Sequence, residues 1–339
     1  MPLVGRLSSD LLLIFNCFQV RWSLPSEMGK KFIIDVDTGV DDAEAIMLAL
    51  SKPDVDVVGI TCVNGNVGID NVCRNTLRVL QTCERLDIPV YKGAVKSILG
   101  QGKSAPHYHG NDGLGDVPNP EAVDVSLVQQ EHAVQALLRL VSDSPGEITL
   151  VALAPLTNIA LALRLDPKFG RKLKEVYIMG GNIEGKGGDC LAAEFNFHAD
   201  PEAAYITLEE LKCPTTIVSW ETTKSLGVTW DWFDQWAAVN TRKGRFHREF
   251  SRMTAERNRN IIKRQDYASC DLLAMAIAVD STIITESEDV WATVELGGVH
   301  TRGQLISDWK KKTSNPPNVR IVKMFDIEKA KGYYMSMVL

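Results

Sequence analysis

The chain has 339 residues, of which 45% are hydrophobic and 24% charged, so it can bury a large core as one big α/β domain or as two smaller ones. Its formal net charge is −6, and no basic run exceeds residues 310–312, so the composition favours neither a nucleic-acid polymer nor an anionic membrane as a partner. The seven cysteines are odd in number and lack C-x-x-C spacing, which argues against a zinc site and a disulfide framework. We therefore expect a globular protein of a reducing compartment, with a cytoplasmic location.

The first 28 residues are predicted to be a leader ahead of a domain at 29–339. The apolar run Leu11–Phe15, with Arg6 upstream, superficially resembles a secretory signal. However, the run is short, Arg21 follows it, and no small-x-small cleavage site is evident. It is also too short to span a bilayer. Met28 directly precedes the domain, so the leader is either an alternative start or a disordered extension.

Strand-like and helix-like segments alternate from there on. The pattern predicts a buried strand at 32–36, a turn at 38–39 and a helix from Asp41 onward. Further strand-like segments lie at 56–62, 90–91, 148–153, 176–179, 215–218, 291–296 and 319–325, and 132–141 has helical periodicity. This alternation is typical of an open, mostly parallel (mixed) sheet with helices on both faces. Since no linker divides it, we expect one domain.

A cluster of acids follows the first predicted strand. Like charges packed this closely repel, so a folded protein keeps them where a cation neutralises them. They lie between the carboxyl end of a strand and the amino end of a helix, the edge at which open α/β sheets bind ligands. A helix cap would need only one acid, and carboxylate oxygens suit Ca²⁺ or Mg²⁺. The segment therefore predicts a metal site. The acids are Asp35, Asp37, Asp41 and Asp42.

With Gly39, these acids fit the pattern Asp-x-Asp-x-Gly-x-Asp-Asp, and the segment resembles the signature of the inosine-uridine preferring nucleoside hydrolases. Similar segments follow in the family's order at 63–66, 107–110, 156–158, 179–181, 193–196, 200–203, 296–298 and 301–303. The resemblance implies a Rossmann-like nucleoside hydrolase fold and a homodimer or homotetramer. It also implies hydrolysis of ribonucleosides, such as inosine or uridine, to ribose and free base.

The resemblance further implies one Ca²⁺ per chain. Its ligands would be the carboxylates of Asp37, Asp42 and Asp271 and the backbone oxygen of Leu153. Because only its carbonyl would be used, an apolar Leu153 is compatible with this role. Asp37 would also act as general base toward a metal-activated water that attacks an oxocarbenium-like anomeric carbon.

Four residues correspond to the family's ribose contacts. Asp41 would hold the 2′-hydroxyl, and Asn66, Glu194 and Asn196 would bind the rest of the sugar. A deoxyribose would leave such polar groups unpaired, so we expect a preference for ribosides.

Two positions depart from the family pattern. Many members carry a histidine directly before the distal aspartate, where this chain, like one branch of the family, has Cys270. A thiol is a weak donor, so Cys270 is either the acid for the leaving base or a buried apolar residue. Gly188 replaces an asparagine that usually binds the 5′-hydroxyl, and Asp189 is a candidate substitute. His109 is expected to contact the base, whereas His107 is expected only to pack.

Several aromatic residues could line the base pocket or belong to a helix core. They are Tyr267, Trp230, Trp232, Phe233 and Trp236.

Two alternative functions are also compatible with parts of the sequence. The changes at Cys270 and Gly188 are compatible with a catalytically impaired ribonucleoside-binding protein, but binding alone does not require a base such as Asp37. The stretch from Asp35 to Thr38 also resembles the start of haloacid-dehalogenase-type phosphatases. The later lysine and acidic pair that those enzymes need are not evident. We therefore predict an N-glycosyl hydrolase.

Overall fold

The computed structural model describes residues 29–100, 103–118, 122–188 and 190–339. The predicted leader, 1–28, and Asp189 lie outside the described residues. None of the helices in these ranges has the length and apolar character of a membrane span.

The strands agree with most of the predicted segments. The segment at 148–153 ends one residue earlier than predicted, and only the middle of 291–296 forms a strand. The strands are β1 (Lys30–Val36), β2 (Val55–Cys62), β3 (Val90–Lys92), β4 (Val128–Gln129), β5 (Ile148–Ala152), β6 (Glu175–Met179), β7 (Thr215–Val218), β8 (Val228–Thr229), β9 (Asp266–Tyr267), β10 (Ile284–Val290), β11 (Ala292–Val294), β12 (Leu305–Ser307) and β13 (Val319–Phe325).

Helices connect these strands, and the predicted helices after residues 41 and 132 are confirmed. The helices are α1 (Val40–Leu50), α2 (Ile69–Thr82), α3 (Pro106–His109), α4 (Ala133–Asp143), α5 (Thr157–Leu165), α6 (Phe169–Lys172), α7 (Phe195–Ala199), α8 (Pro201–Glu210), α9 (Trp220–Ser225), α10 (Trp230–Ala237), α11 (Arg242–Glu256), α12 (Cys270–Val279) and α13 (Ile327–Ser336).

Among the described residues, nine strands form one sheet in the order β10-β13-β7-β6-β5-β1-β2-β3-β4. All neighbours are parallel except β10 and β13, so the predicted mostly parallel sheet is confirmed. The chain builds outward from β1 to β4 and then returns to place β5 on the other side of β1. This reversal creates a switch point between β1 and β5, and ligands bind at the carboxyl ends of strands at such a point.

Two helices direct their amino ends toward this edge. α1 begins directly after β1 and packs against α12. All residues of α12 are buried and most are apolar, as expected for a helix surrounded by core. Its one acid, Asp271, lies in the first turn, as do Asp41 and Asp42 in α1. The positive ends of both helix dipoles therefore lie among acidic side chains, which they stabilise.

Two of the three leucines of α5, Leu163 and Leu165, test how much the core on the other face of the sheet contributes to stability. Leu163 is fully buried and Leu165 is 67% exposed, although they are two positions apart. Leu163→Ala should lower the free energy of unfolding by about 2–5 kcal/mol because it leaves a cavity. Leu165→Ala, the matched control, should stay within about 0.5 kcal/mol. Denaturant unfolding of both variants measures the difference, and equal losses would contradict the assignment of this core.

Candidate functional site

A pocket opens at the carboxyl edge of the sheet, near the ends of β1, β2, β5, β6 and β7. It brings together residues that are far apart in the sequence. The predicted site residues that line it are Asp41, Asn66, His109, Leu153, Gly188, Glu194, Asn196, Cys270 and Asp271. Asp37 and Asp42 are also buried but are not among the lining residues.

Three carboxylates converge at this pocket. One oxygen each from Asp41, Asp42 and Asp271 lie within 4.8 Å of one another. Burial, and then the charge of Asp41, raise the pKa of Asp42 to about 7. Burial, followed by the charges of Asp41 and Asp42, raises the pKa of Asp271 well above its ordinary value. Negative charge here is unfavourable by itself, so a cation would stabilise the group.

Asp37 lies beside this group and is held by Asn66. The Asn66 backbone N–H donates to Asp37 Oδ2 at 2.7 Å, and its Nδ2 donates to Asp37 Oδ1 at 3.1 Å and to Asp42 Oδ2 at 3.1 Å. Burial raises the pKa of Asp37 well above its ordinary value, and the charges of Asp42 and Asp41 raise it further. One asparagine therefore fixes the relative positions of two acids.

Asp42 also closes the first turn of α1. Its Oδ2 accepts from the Gly39 N–H at 2.8 Å, and its Oδ1 accepts from the Asp37 N–H at 3.2 Å. This is the role of a residue at the third position of a helix, which satisfies a backbone donor that lacks an intrahelical partner. Capping and charge clustering are thus combined in one side chain.

Asp35, the first acid of the sequence cluster, does not join the three carboxylates. Its Oδ1 accepts from Thr61 Oγ1 at 2.5 Å on β2 and from Asn158 Nδ2 at 2.9 Å on α5. Burial raises the pKa of Asp35 to about 7, although both hydrogen bonds act to lower it. Asp35 therefore ties β1 to its neighbouring elements, below the pocket.

The two pocket asparagines use their amide nitrogens within the protein. Asn196 Nδ2 donates to the backbone oxygens of Leu153 at 2.9 Å and Met179 at 3.1 Å, just as Asn66 Nδ2 donates to two acids. Glu194 accepts from the backbone N–H groups of Asn196 at 2.8 Å and Gly181 at 3.0 Å. These contacts fix all three side chains. They leave the amide carbonyl oxygens of the two asparagines to accept hydrogen bonds from a ligand.

His109 connects α3 to the start of α1. Its Nδ1 accepts from the Val40 N–H at 3.1 Å and lies 3.9 Å from Asp41 Oδ1. A neutral imidazole that accepts at Nδ1 carries its proton on Nε2 and can donate there. The side chain of His107, which was expected only to pack, lies outside the part of the chain that the structure describes.

Cys270 lies beside pocket residues that are not acids or amides. Its Sγ lies 3.3 Å from Thr223 Oγ1, and Trp220 and Lys224 line the pocket beside it. Burial raises the pKa of the Cys270 thiol, so the sulfur keeps its proton at neutral pH. A side chain at Gly188 would meet the Trp220 ring, since a Cβ there would lie 3.3 Å from it. The indole therefore occupies the space next to Gly188.

Comparison with known proteins now assigns the family. The family model for inosine-uridine preferring nucleoside hydrolases matches residues 32–332. The chain belongs to this family. The predicted membership and the hydrolase class are thereby confirmed, and the haloacid-dehalogenase alternative is wrong.

Full-length relatives agree. This hydrolase is 33% identical to the inosine-uridine preferring nucleoside hydrolase of Crithidia fasciculata, over 91% of this chain and 97% of that one. It is 32% identical to the pyrimidine-specific ribonucleoside hydrolase RihA of Salmonella arizonae, over 89% and 95%. Among solved structures, an inosine-guanosine nucleoside hydrolase (IG-NH) matches with a TM-score of 0.84 at 33% identity, covering 91% of this chain and 98% of that chain.

The aromatic residues considered for the base pocket of the hydrolase are not among its lining residues. Phe233, Trp236 and Tyr267 are buried and pack against one another, which confirms the core interpretation for them. Trp230 and Trp232 are partly buried against the same cluster. A tryptophan-rich helix with an apolar face needs such a core, so this pattern alone does not identify a pocket.

A buried polar network that was not expected from the sequence lies beneath the pocket. Glu44 Oε1 accepts from Tyr267 O–H at 2.8 Å and lies 3.0 Å from His247 Nε2. The side chains of Glu44 and His247 are fully buried. The network ties α1 to α11 and to the segment before α12, so it orients the two helices that carry the acids.

Tyr108, Trp220 and Lys224 also line the pocket, although the sequence-based expectations did not include them. A usable signal was available, since Trp220 and Lys224 follow the predicted strand at 215–218. Residues after the carboxyl end of a central parallel strand are favoured pocket positions.

Gly65 should be essential to the acid site because its backbone lies very close to the Asp37 carboxylate. A Cβ there would lie 1.9 Å from Asp37 Oδ2, whereas at Gly68 it would meet nothing within 4 Å. Gly65→Ala should therefore displace Asp37 and reduce ribose release from ribonucleosides by at least about 100-fold, as expected when a side chain of the acid site is misplaced. Gly68→Ala, at the start of α2, should cost at most about 1 kcal/mol of stability and leave turnover near the parent value. If Gly65→Ala keeps full activity, Asp37 does not need the observed position.

Proposed function

We propose that this chain is a Ca²⁺-dependent hydrolase that releases ribose and free base from ribonucleosides. The observation that carries the proposal is the convergence of Asp41, Asp42 and Asp271 in a pocket that also contains Asn66, Glu194 and Asn196. Family membership supports cleavage of the N-glycosidic bond. The identity of the metal and the roles of the residues are our proposal.

The donor set suits a hard divalent cation. Asp41 Oδ1 is buried and accepts no hydrogen bond from the described residues, although it lies in the acid group. The proposed ligands are Asp37, Asp42, Asp271 and the Leu153 carbonyl. Two of these, Asp42 and Asp271, belong to the group, and Asp37 adjoins it. Oxygen-only ligands favour Ca²⁺ over softer metals, and the bound ion would supply positive charge that attracts ribose hydroxyls and acidifies water at the site.

Ribose binding is consistent with the orientation of the amides. Asn66 and Asn196 use their nitrogens within the protein, so they would accept hydrogen bonds from sugar hydroxyls through their oxygens. Asp41 would accept from the 2′-hydroxyl and Glu194 from another hydroxyl. Because a 2′-deoxyribose would leave Asp41 without that partner, ribosides would be preferred.

Asp37 is the proposed general base. Its carboxylate is held by two donors of Asn66, so it can receive a proton from water without reorienting. The anomeric carbon gains positive charge as the C–N bond lengthens, and the surrounding carboxylates stabilise that charge.

His109 and Cys270 would contact the base. The named relatives act on purine and pyrimidine ribosides, so both kinds are included in the proposal. We also infer a cytoplasmic homodimer or homotetramer.

The first test is ribose release from inosine, uridine and their 2′-deoxy analogues. Purified protein should release ribose from the ribosides, lose this activity with chelator and regain it with added Ca²⁺. Asp37→Asn should lower turnover by about 100- to 10,000-fold, since it keeps the shape of the side chain and removes the base. Asp56→Asn, at an exposed position on β2, is the matched control and should have no effect.

Other outcomes are equally informative. Calcium-dependent binding of inosine without any ribose release would move the protein to the class of catalytically impaired binding proteins. Full activity after exhaustive chelation would contradict the metal requirement.

Stability gives a second test of the metal that does not depend on turnover. Ca²⁺ at about 100 times its dissociation constant should raise the free energy of unfolding by about 2.7 kcal/mol, since it binds only the folded state. Asp271→Asn should remove most of this gain, because it removes one of the converging oxygens. Thermal unfolding with and without Ca²⁺ measures both effects. The same gain in the variant and the parent would exclude Asp271 as a ligand.

A further inference from the structure

The residues that line the pocket are of two chemical kinds, here called its first and second walls. One wall carries the acids and amides of Asp41, Asn66, Glu194, Asn196 and Asp271, and the other carries Tyr108, Trp220, Lys224 and Cys270. A ribose matches the first wall, because its hydroxyls donate hydrogen bonds to oxygens. A flat base matches the second wall, because an indole offers it an aromatic face.

Lys224 is the cation of this second wall. Its Nζ lies 4.5 Å from the centre of the Trp220 ring, a contact that stabilises a partly desolvated ammonium. The side chain is half-buried, and it forms no ion pair with a carboxylate of the described residues. Burial lowers the pKa of Lys224, whereas its side-chain hydrogen bond with Cys270 and the charge of Asp41 raise it, and the net shift is upward, so the ammonium form is kept at neutral pH.

We propose that Lys224 donates a hydrogen bond to the departing base and stabilises the negative charge that the base acquires as the N-glycosidic bond breaks. This rests on the proposed nucleoside hydrolysis. An ammonium has three donors and no acceptor, so it selects bases whose edge carries a carbonyl oxygen or an unprotonated ring nitrogen. Hypoxanthine and uracil both meet this requirement.

The step balances as a hydrolysis. The bond between the anomeric carbon and the base nitrogen breaks, and its electron pair goes to the base. Water adds its oxygen to the anomeric carbon and gives one proton to Asp37, which returns it to solvent. The base takes a proton from solvent after departure, while Lys224 remains an ammonium throughout.

Lys224 suits this role better than Cys270. A neutral thiol is a weak donor, whereas a charged donor forms hydrogen bonds about twice as strong as neutral ones. In this proposal Lys224 is the donor to the leaving base, and Cys270, which forms a side-chain hydrogen bond with Lys224, helps to position it. The sequence-based role of Cys270 as the acid stays a prediction.

The test compares substrates that differ in their need for leaving-group stabilisation. Lys224→Met should lower kcat/KM for inosine and uridine by about 100-fold, as expected when one preorganised donor is lost. Hydrolysis of p-nitrophenyl β-D-riboside should fall by less than about threefold, because p-nitrophenolate is a stable anion that leaves without such help. Lys224→Arg, which keeps a charged donor, should recover part of the loss. Lys263→Met changes an exposed lysine and serves as the matched control.

Equal losses on both substrate types would overturn the proposal and assign Lys224 a structural role. Unchanged inosine turnover in Lys224→Met would also overturn it. Calcium-dependent thermal stabilisation of Lys224→Met, equal to that of the parent, shows that the variant is folded with its acid site intact. Failure of the proposed function itself is distinguishable, since the parent protein would then release no sugar from any of the ribosides.

Discussion

The burial of several carboxylates is the physical constraint that shapes the carboxyl edge of this sheet. Asp37, Asp42 and Asp271 are almost completely buried, and the pKa of each is raised by that burial and then by the charge of at least one other acid of the group. Such a cluster costs free energy unless donors, dipoles or a cation offset it. The amino ends of α1 and α12, and the amide and backbone donors of Asn66, supply part of that offset. The remainder is what a bound cation would provide, which is why the cluster is interpreted as a ligand site.

The same constraint explains the close packing around the acids. Gly65 and Gly39 allow backbone to approach Asp37, Asn66 and His109 more closely than any side chain would permit. Behind the pocket, Glu44 is fully buried, and it is supported by Tyr267 and His247. α1 therefore carries acids toward the ligand from its first turn and an acid into the core from its second. Because α1 carries acids toward the pocket and an acid into the core, its rotation about its own axis is fixed. The buried network therefore orients the acids of the first turn.

In the proposed function, the pocket would contact the two halves of a nucleoside with groups of different charge. The wall of acids and amides is complementary to a polyhydroxyl sugar, and the wall of Trp220 and Lys224 is complementary to an electron-rich base. In a glycosidic cleavage, positive charge develops on the sugar and negative charge on the base. The polarity of the pocket matches that separation of charge in the transition state.

The fold class, the edge of the sheet that carries the site and most of the pocket residues follow from the amino-acid sequence. The β1 strand, the α1 helix and the acids between them are local features, because strand periodicity, helix capping and charge density are set by neighbouring residues. Family motifs added Asn66, Glu194, Asn196 and Asp271, which the fold does bring to one pocket. Only the folded chain shows that Asp35 joins Thr61 and Asn158 instead of the acid group, and that the aromatic residues around Trp236 form core. It also revealed Lys224, because the partners of a long side chain depend on which strands are neighbours, and strand order is not a property of any local segment.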